Sequence, residues 1–204
     1  MSEEQVFCIS RKALIDAGFL KAPFSSLAES KSLLALESAF IPRKRAETDD
    51  SWKQLIPYQL FLCGGKLLVF QRGGKVNEKR LAGRCSVGIG GHMNDRDLQG
   101  EYFGVKSLEY SAQRERNEEL VLNGPVRVST LGIINDDSDP VGRVHLGLVL
   151  LCSVASRGAV SLRNGAEDLV FKGWWSPEEV LESAGLFENW SILAVKLLLW
   201  WRDG

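Results

Sequence analysis

The 204-residue chain has no surplus of either charge, no closely spaced cysteines and no apolar run long enough to cross a bilayer. Lys plus Arg number 25 against 26 for Asp plus Glu. That balance leaves no broad basic footprint for a phosphate backbone and speaks against nucleic acid as a partner, although a few local cations would suffice for a small polyphosphate. Cys8, Cys63, Cys85 and Cys152 never reach the two-residue spacing of a zinc knuckle or redox dithiol. They read as reduced thiols of a cytoplasmic protein. Met1-Ser2-Glu3-Glu4-Gln5 is acidic and lacks the basic-then-apolar order of a signal peptide. The most apolar stretch, residues 192–201, contains Lys196 and falls far short of the roughly 20 residues of a transmembrane helix. It reads as a core-facing helix, with a homodimer contact as the alternative, and no membrane is expected.

What is present has the texture of a folded domain, 45% hydrophobic and 25% charged. Residues 11–19 and 25–40 carry apolar side chains at mixed three- and four-residue spacing, which predicts amphipathic helices. The charged run 42–50 reads as a solvated connector. After Trp52 the pattern changes. Short apolar runs at 58–63 and 66–71 flank Gly64-Gly65, as in a tight hairpin. A basic loop follows, with Lys75, Lys79, Arg80 and Arg84, then a short strand at 85–89 ending at Gly90-Gly91. Residues 92–106 are polar and loop-like. A helix is expected over 107–120, stopped by Asn123-Gly124-Pro125. Strands at 126–134, 144–154 and 169–175 follow. Ser176-Pro177 then opens a helix, and a last helix covers 187–201. Strands enclosing one helix and followed by another describe a mixed sheet covered by helices.

Glu115, Glu118 and Glu119 stand at i, i+3 and i+4 in the 107–120 helix. Those offsets put three carboxylates on one face, about 5–6 Å apart at Cβ. Such crowding is compensated by solvent or by a hard divalent cation, and Mg2+ takes oxygen ligands and bridges to phosphates. Arg114, one turn before Glu118, is placed to pair with it. A Glu-x-x-Glu-Glu helix taken alone is more often a solvated face. Here it follows a strand ending in Gly-Gly and a polar loop, which lets backbone come close to a ligand.

Arg114-Glu115-x-x-Glu118-Glu119, preceded by Gly90-Gly91-His92 and followed by Trp174-Trp175-Ser176-Pro177, resembles the Nudix (MutT-like) hydrolase family. The family's box reads Gly, five spacers, Glu, seven spacers, Arg-Glu, an apolar residue, one spacer, Glu-Glu, one spacer, Gly and an apolar residue. The resemblance implies a loop–helix–loop inside an α/β/α sandwich, here 55–204, with residues 1–54 as an N-terminal helical extension and connector. It departs from the box at Arg116, in the apolar position, and at Val121, in place of the closing Gly. A strict count back from Arg114 puts Lys106 at the first Glu and Gly100 at the box Gly. The alternative register keeps Gly91 as the box Gly and takes Gly100-Glu101 as the Gly-Glu pair.

By this resemblance Glu115, Glu118 and Glu119 ligate Mg2+ or Mn2+, Glu115 serves as general base, and Arg114 orients the glutamates. Glu101 and Glu167 are candidates for a further carboxylate, with Asp168 competing. Arg72, Lys79, Arg80, Arg84, Gly90 and Gly91 are candidates for phosphate contact. His92 reads either as a phosphate contact or as a structural loop residue, His145 as core or sheet surface, and one of the late tryptophans as a base-stacking surface or as packing. The implied activity is hydrolysis of a pyrophosphate linkage in a nucleoside diphosphate joined to a second moiety. A nucleotide-sensing module without catalysis and an isoprenoid-diphosphate isomerase remain as alternatives.

Overall fold

The computed structural model describes residues 3–27, 29–73, 83–163 and 169–203. In chain order the strands and helices are β1 (Gln5–Ser10), α1 (Arg11–Asp16), β2 (Phe24–Ser26), α2 (Lys31–Leu34), β3 (Ser38–Pro42) and α3 (Arg43–Ala46). There follow β4 (Trp52–Cys63), β5 (Lys66–Arg72), β6 (Cys85–Ser86), β7 (Gly88–Ile89), α4 (Val105–Glu119), β8 (Leu120–Leu122) and β9 (Val126–Ile134). The chain continues through α5 (Pro140–Arg143), β10 (His145–Val154), β11 (Val160–Leu162), β12 (Leu169–Trp175), α6 (Pro177–Glu182) and α7 (Asn189–Asp203).

The main sheet runs β12-β5-β4-β10-β9-β2, with β1, β6 and β7 joined to its middle strands and β3 joined to β1. β4 and β10 pair in parallel from Gln54↔His145 to Leu62↔Ser153; β4 pairs antiparallel with β1, β5 and β7. Two layers of helix cover it, and β10 shows why. Leu146, Leu148 and Leu150 enter a core with Leu108 and Ala112 of α4. Val149 and Leu151 enter a second core with Leu193, Ala194, Val195, Leu197 and Leu198 of α7. Alternate side chains of a strand point to opposite faces, so a continuous apolar run needs cover on both sides. The result is the mixed-sheet α/β/α sandwich. No helix among the described residues is long and apolar enough to cross a membrane. All four cysteines are buried and free.

The N-terminal expectation requires correction. In place of a helical extension, residues 5–46 interleave three strands with three helices of six residues or fewer. The expected helix over 25–40 is reduced to α2, because residues 38–42 pair with β1 from Ile9↔Ser38 to Gln5↔Pro42. Long-range strand pairing overrides a local helical period here. β2 pairs with β9, and the expected division between residues 54 and 55 falls inside β4. The 42–50 connector contains α3, whose Ala46 is fully buried.

A buried cation fixes the same region. Lys53 is 0% exposed; its Nζ donates to Asp137 Oδ1 (2.8 Å) and to the carbonyls of Gly142 (2.9 Å) and His145 (3.0 Å). Arg11 reaches the other Asp137 oxygen at 3.0 Å. A charge with no exposure persists only when paired and fully hydrogen-bonded.

Candidate functional site

Arg114, on α4, organises the site through its contacts with the loop after β7. Its Nε lies 2.9 Å from Asp97 Oδ1 and its Nη2 2.9 Å from Asp97 Oδ2, a two-pronged pair. Nη2 also donates to the His92 carbonyl at 3.0 Å, and Nη1 to Glu115 Oε1 at 2.6 Å and Glu118 Oε1 at 3.3 Å. Hydrogen bonding to Asp97 holds the guanidinium pKa above its ordinary value, so it stays charged throughout. Asp97 closes a 3-10 turn over Asp95–Asp97, in a capping box in which its carboxylate accepts from the Asn94 amide at 3.0 Å.

The N-terminal segment holds that turn in place. Phe7 donates its amide to the Met93 carbonyl at 2.8 Å, Val6 bridges to Asn94, and Phe7, Phe40 and Phe103 form an aromatic cluster. The loop between β7 and α4 is thus built into the sheet through β1.

The glutamates differ in setting. Glu115 is largely buried, its side chain 15% exposed, whereas the Glu118 side chain is 58% exposed and Glu119 is half-buried. Burial pushes the Glu115 carboxyl pKa up, while Arg114 draws it down; the net shift is upward. The carboxylate of Glu115 occupies the space beside Gly91, where a Cβ would overlap it. Glycine there lets the Glu115 carboxylate keep its place against the backbone. At Gly90 a Cβ would meet the Pro57 carbonyl at 2.9 Å, a constraint from the fold itself.

Arg116, in the box's apolar position, turns toward the sheet and donates to Gln59 Oε1 at 3.0 Å. Gln59 is fully buried and donates its amide to the Ala112 carbonyl. The polar departure is therefore matched by a polar residue on β4.

Several expected residues lie elsewhere. Glu101 is exposed in the loop before α4; the acid paired with Arg114 is Asp97. Arg72 pairs with Glu188 at 2.9 Å, and Glu188 accepts from Tyr58 and Ser86 in a buried network. Arg84 donates to the Gly185 carbonyl. Glu167, Asp168, Lys75, Lys79 and Arg80 lie outside the described residues. Trp175 packs edge-on against Phe187 and Trp190 against Tyr58, whereas Trp200 and Trp201 are about half exposed.

The spacing of the box also reaches Asp97. It stands six residues after Gly91, where the box spacing puts its first Glu. Sixteen residues then separate it from Arg114, instead of seven. The extra length lies after the acid, so the box spacing holds from Gly91 to Asp97 and is lost before Arg114. Gln59 gave no sequence signal, because its role depends on register alone.

No protein-family model matches the chain. Protein YmaB of Bacillus subtilis (strain 168) is 30% identical over 170 residues, spanning 80% of each chain. The crystal structure of Tm1382, assigned to the Nudix hydrolases, superposes with a TM-score of 0.68 at 25% identity, covering 96% of this chain and 98% of that one. DR0079 from Deinococcus radiodurans shares the fold at a TM-score of 0.53 and 14% identity, over 85% of this chain and 98% of its own.

Proposed function

This chain belongs to the Nudix hydrolase family, and we propose that Glu115, Glu118 and Glu119 hold Mg2+ or Mn2+ while a pyrophosphate linkage is cleaved in a nucleoside diphosphate joined to a second moiety, or in a related phosphorylated small molecule. One observation carries this reading. A single nitrogen, Arg114 Nη1, lies within hydrogen-bond distance of both Glu115 and Glu118, while Asp97 grips the opposite edge of the same guanidinium. Carboxylates one turn apart repel, and the guanidinium keeps both turned to one side of α4 without consuming all their oxygens.

The donor set fits a hard dication: oxygen ligands only, with Gly91 leaving room for the Glu115 carboxylate. A bound ion supplies charge neutralisation on the phosphates and a water of lowered pKa. Glu115 is the proton acceptor, since burial favours its protonated form and brings its basicity closer to neutrality. Arg114 holds Glu115 in place for that transfer, and Glu118 and Glu119 face the phosphates. Four buried thiols suit a reducing compartment, and a cytoplasmic location is part of the proposal.

The test is release of phosphorylated fragments, separated by anion-exchange chromatography, from nucleoside diphosphate sugars, dinucleotide polyphosphates, nucleoside triphosphates and isopentenyl diphosphate, with and without Mg2+. Mg2+-dependent release that drops at least 100-fold in Glu118→Gln and Glu119→Gln is expected. Tight nucleotide binding without turnover would make the chain a binding module, and double-bond migration would make it an isomerase; either overturns the proposal.

A further inference from the structure

Among the described residues, one group of three side chains brings its ligand atoms within 4.8 Å of one another, and it is Glu47, His92 and His145 rather than the three α4 carboxylates. They come from three parts of the fold. Glu47 follows α3, His92 lies on the loop after β7, and His145 opens β10. The geometry points to a second cation site here, built for a borderline dication such as Zn2+ rather than for Mg2+.

The distances are those of ligands around one ion. His92 Nε2 and His145 Nε2 are 3.2 Å apart. Two imidazole nitrogens bound tetrahedrally at about 2.0–2.1 Å from zinc stand roughly 3.4 Å apart. The orientation of His145 agrees with this. Its Nδ1 lies 2.7 Å from the Val141 carbonyl, which can only accept, so Nδ1 carries the proton and Nε2 presents its lone pair toward His92. A ligating imidazole that donates its other N–H to a backbone carbonyl is the usual supporting arrangement at metal sites. Glu47 is exposed and held by Arg43 at 3.5 Å; Arg43 also pairs with Glu4 at 2.9 Å, so it keeps a partner if Glu47 turns to an ion.

An independent observation lies across the strand. Gln54 is fully buried, and neither its amide nitrogen nor its amide oxygen has a hydrogen-bond partner. It sits directly opposite His145 in the parallel register of β4 and β10. Cross-strand neighbours share a face of the sheet, so the amide lies on the side from which the His145 ring projects. Buried amides without partners are rare in folded proteins. Three protein ligands leave a tetrahedral ion one position for water, and a water there can donate to the Gln54 amide oxygen.

The ligand chemistry sets the selectivity. Imidazole suits Zn2+ and its neighbours in the transition series, while Mg2+ prefers oxygen donors. The His92 carbonyl accepts from Arg114, so an ion at this site would brace the loop that carries the Arg114 contacts.

Full-length protein stripped with a chelator and then given Co2+ in excess Mg2+ tests the site, with retained metal and ligand-field absorption as readouts. One equivalent of Co2+ should be retained, displaced by Zn2+, and unchanged in Glu118→Gln. Affinity should fall at least tenfold in Glu47→Gln, and retention should be lost in His92→Asn and His145→Asn. Zn2+ should raise Tm in the wild type and less so in Glu47→Gln. Glu47 is exposed, so its variant decides the matter even if the histidine variants fail to fold. No retention in excess Mg2+, undiminished retention in Glu47→Gln, or loss in Glu118→Gln would overturn the proposal. None of these outcomes depends on hydrolytic activity.

Discussion

Asp97 and Arg114 meet edge to edge, each carboxylate oxygen 2.9 Å from one guanidinium nitrogen, and that contact joins the loop after β7 to α4. Burial opposes the charge on Asp97, but hydrogen bonds from Arg114 and the Asn94 amide outweigh it and hold the carboxyl below its usual range. The pair does positional work. It sets the face on which Arg114 presents Glu115 and Glu118.

Asp97→Asn should therefore damage turnover more than binding. Removing one partner of a buried pair costs about 3 kcal/mol or more, and Arg114 is partly exposed, so about 2 kcal/mol of stability is expected to go. The measurements are kcat and KM beside a denaturation midpoint. A kcat within twofold of wild type would remove Asp97 from the site.

The two adjacent glycines should separate when each becomes alanine. Gly91→Ala pushes the Glu115 carboxylate aside, which a flexible side chain can accommodate, so activity should fall at least tenfold with a Tm loss of only a few degrees. Gly90→Ala strikes the Pro57 carbonyl, which cannot move without the strand, so stability should fall by about 1–3 kcal/mol. Thermal scans and initial rates of both variants check the pair.

Glu115→Gln should separate function from stability. Its charge is disfavoured by burial, so the amide should leave the unfolding free energy within about 1 kcal/mol of wild type while turnover falls at least 100-fold. A comparable loss in both would show that Glu115 is chiefly structural.

Lys53 and Asp137 predict how the fold responds to acid. Burial works against the Asp137 charge, but Arg11 and Lys53 pull its pKa down to about 2, against about 3.9 in an unfolded chain. A depressed carboxyl pKa stabilises the fold above the unfolded value, and the contribution is lost as pH falls from about 4 toward 2. Asp137→Asn should flatten that window in urea titrations at successive pH values. It should also cost about 2 kcal/mol at neutral pH, because the amide oxygen can still accept from Lys53 but no longer offsets its buried charge.

The parts of the fold that could be read in advance are those governed by local chemistry. The Ser176–Pro177 start of α6 was legible because cap and proline act within one turn. So was α4, though it begins at Val105, two residues earlier than expected. The N-terminal strands were not legible, since β1 and β3 exist by pairing with each other and β1 by pairing also with β4. Near α4, the pairing of Arg114 with Glu118 was legible from their spacing of four. Asp97 was hidden by the lengthened loop behind it, and Gln59 receives Arg116 only because the sheet brings β4 under α4.

The bond from Phe7 to the Met93 carbonyl has a consequence for trimming the chain. A fragment starting at Trp52 would uncover one margin of β4 and deprive Met93 of its donor, leaving raw strand ready to recruit another molecule. The shortest version that stays monodisperse and keeps its carboxylates aligned should therefore retain residues 5–10, far though they stand in sequence from every acid on α4.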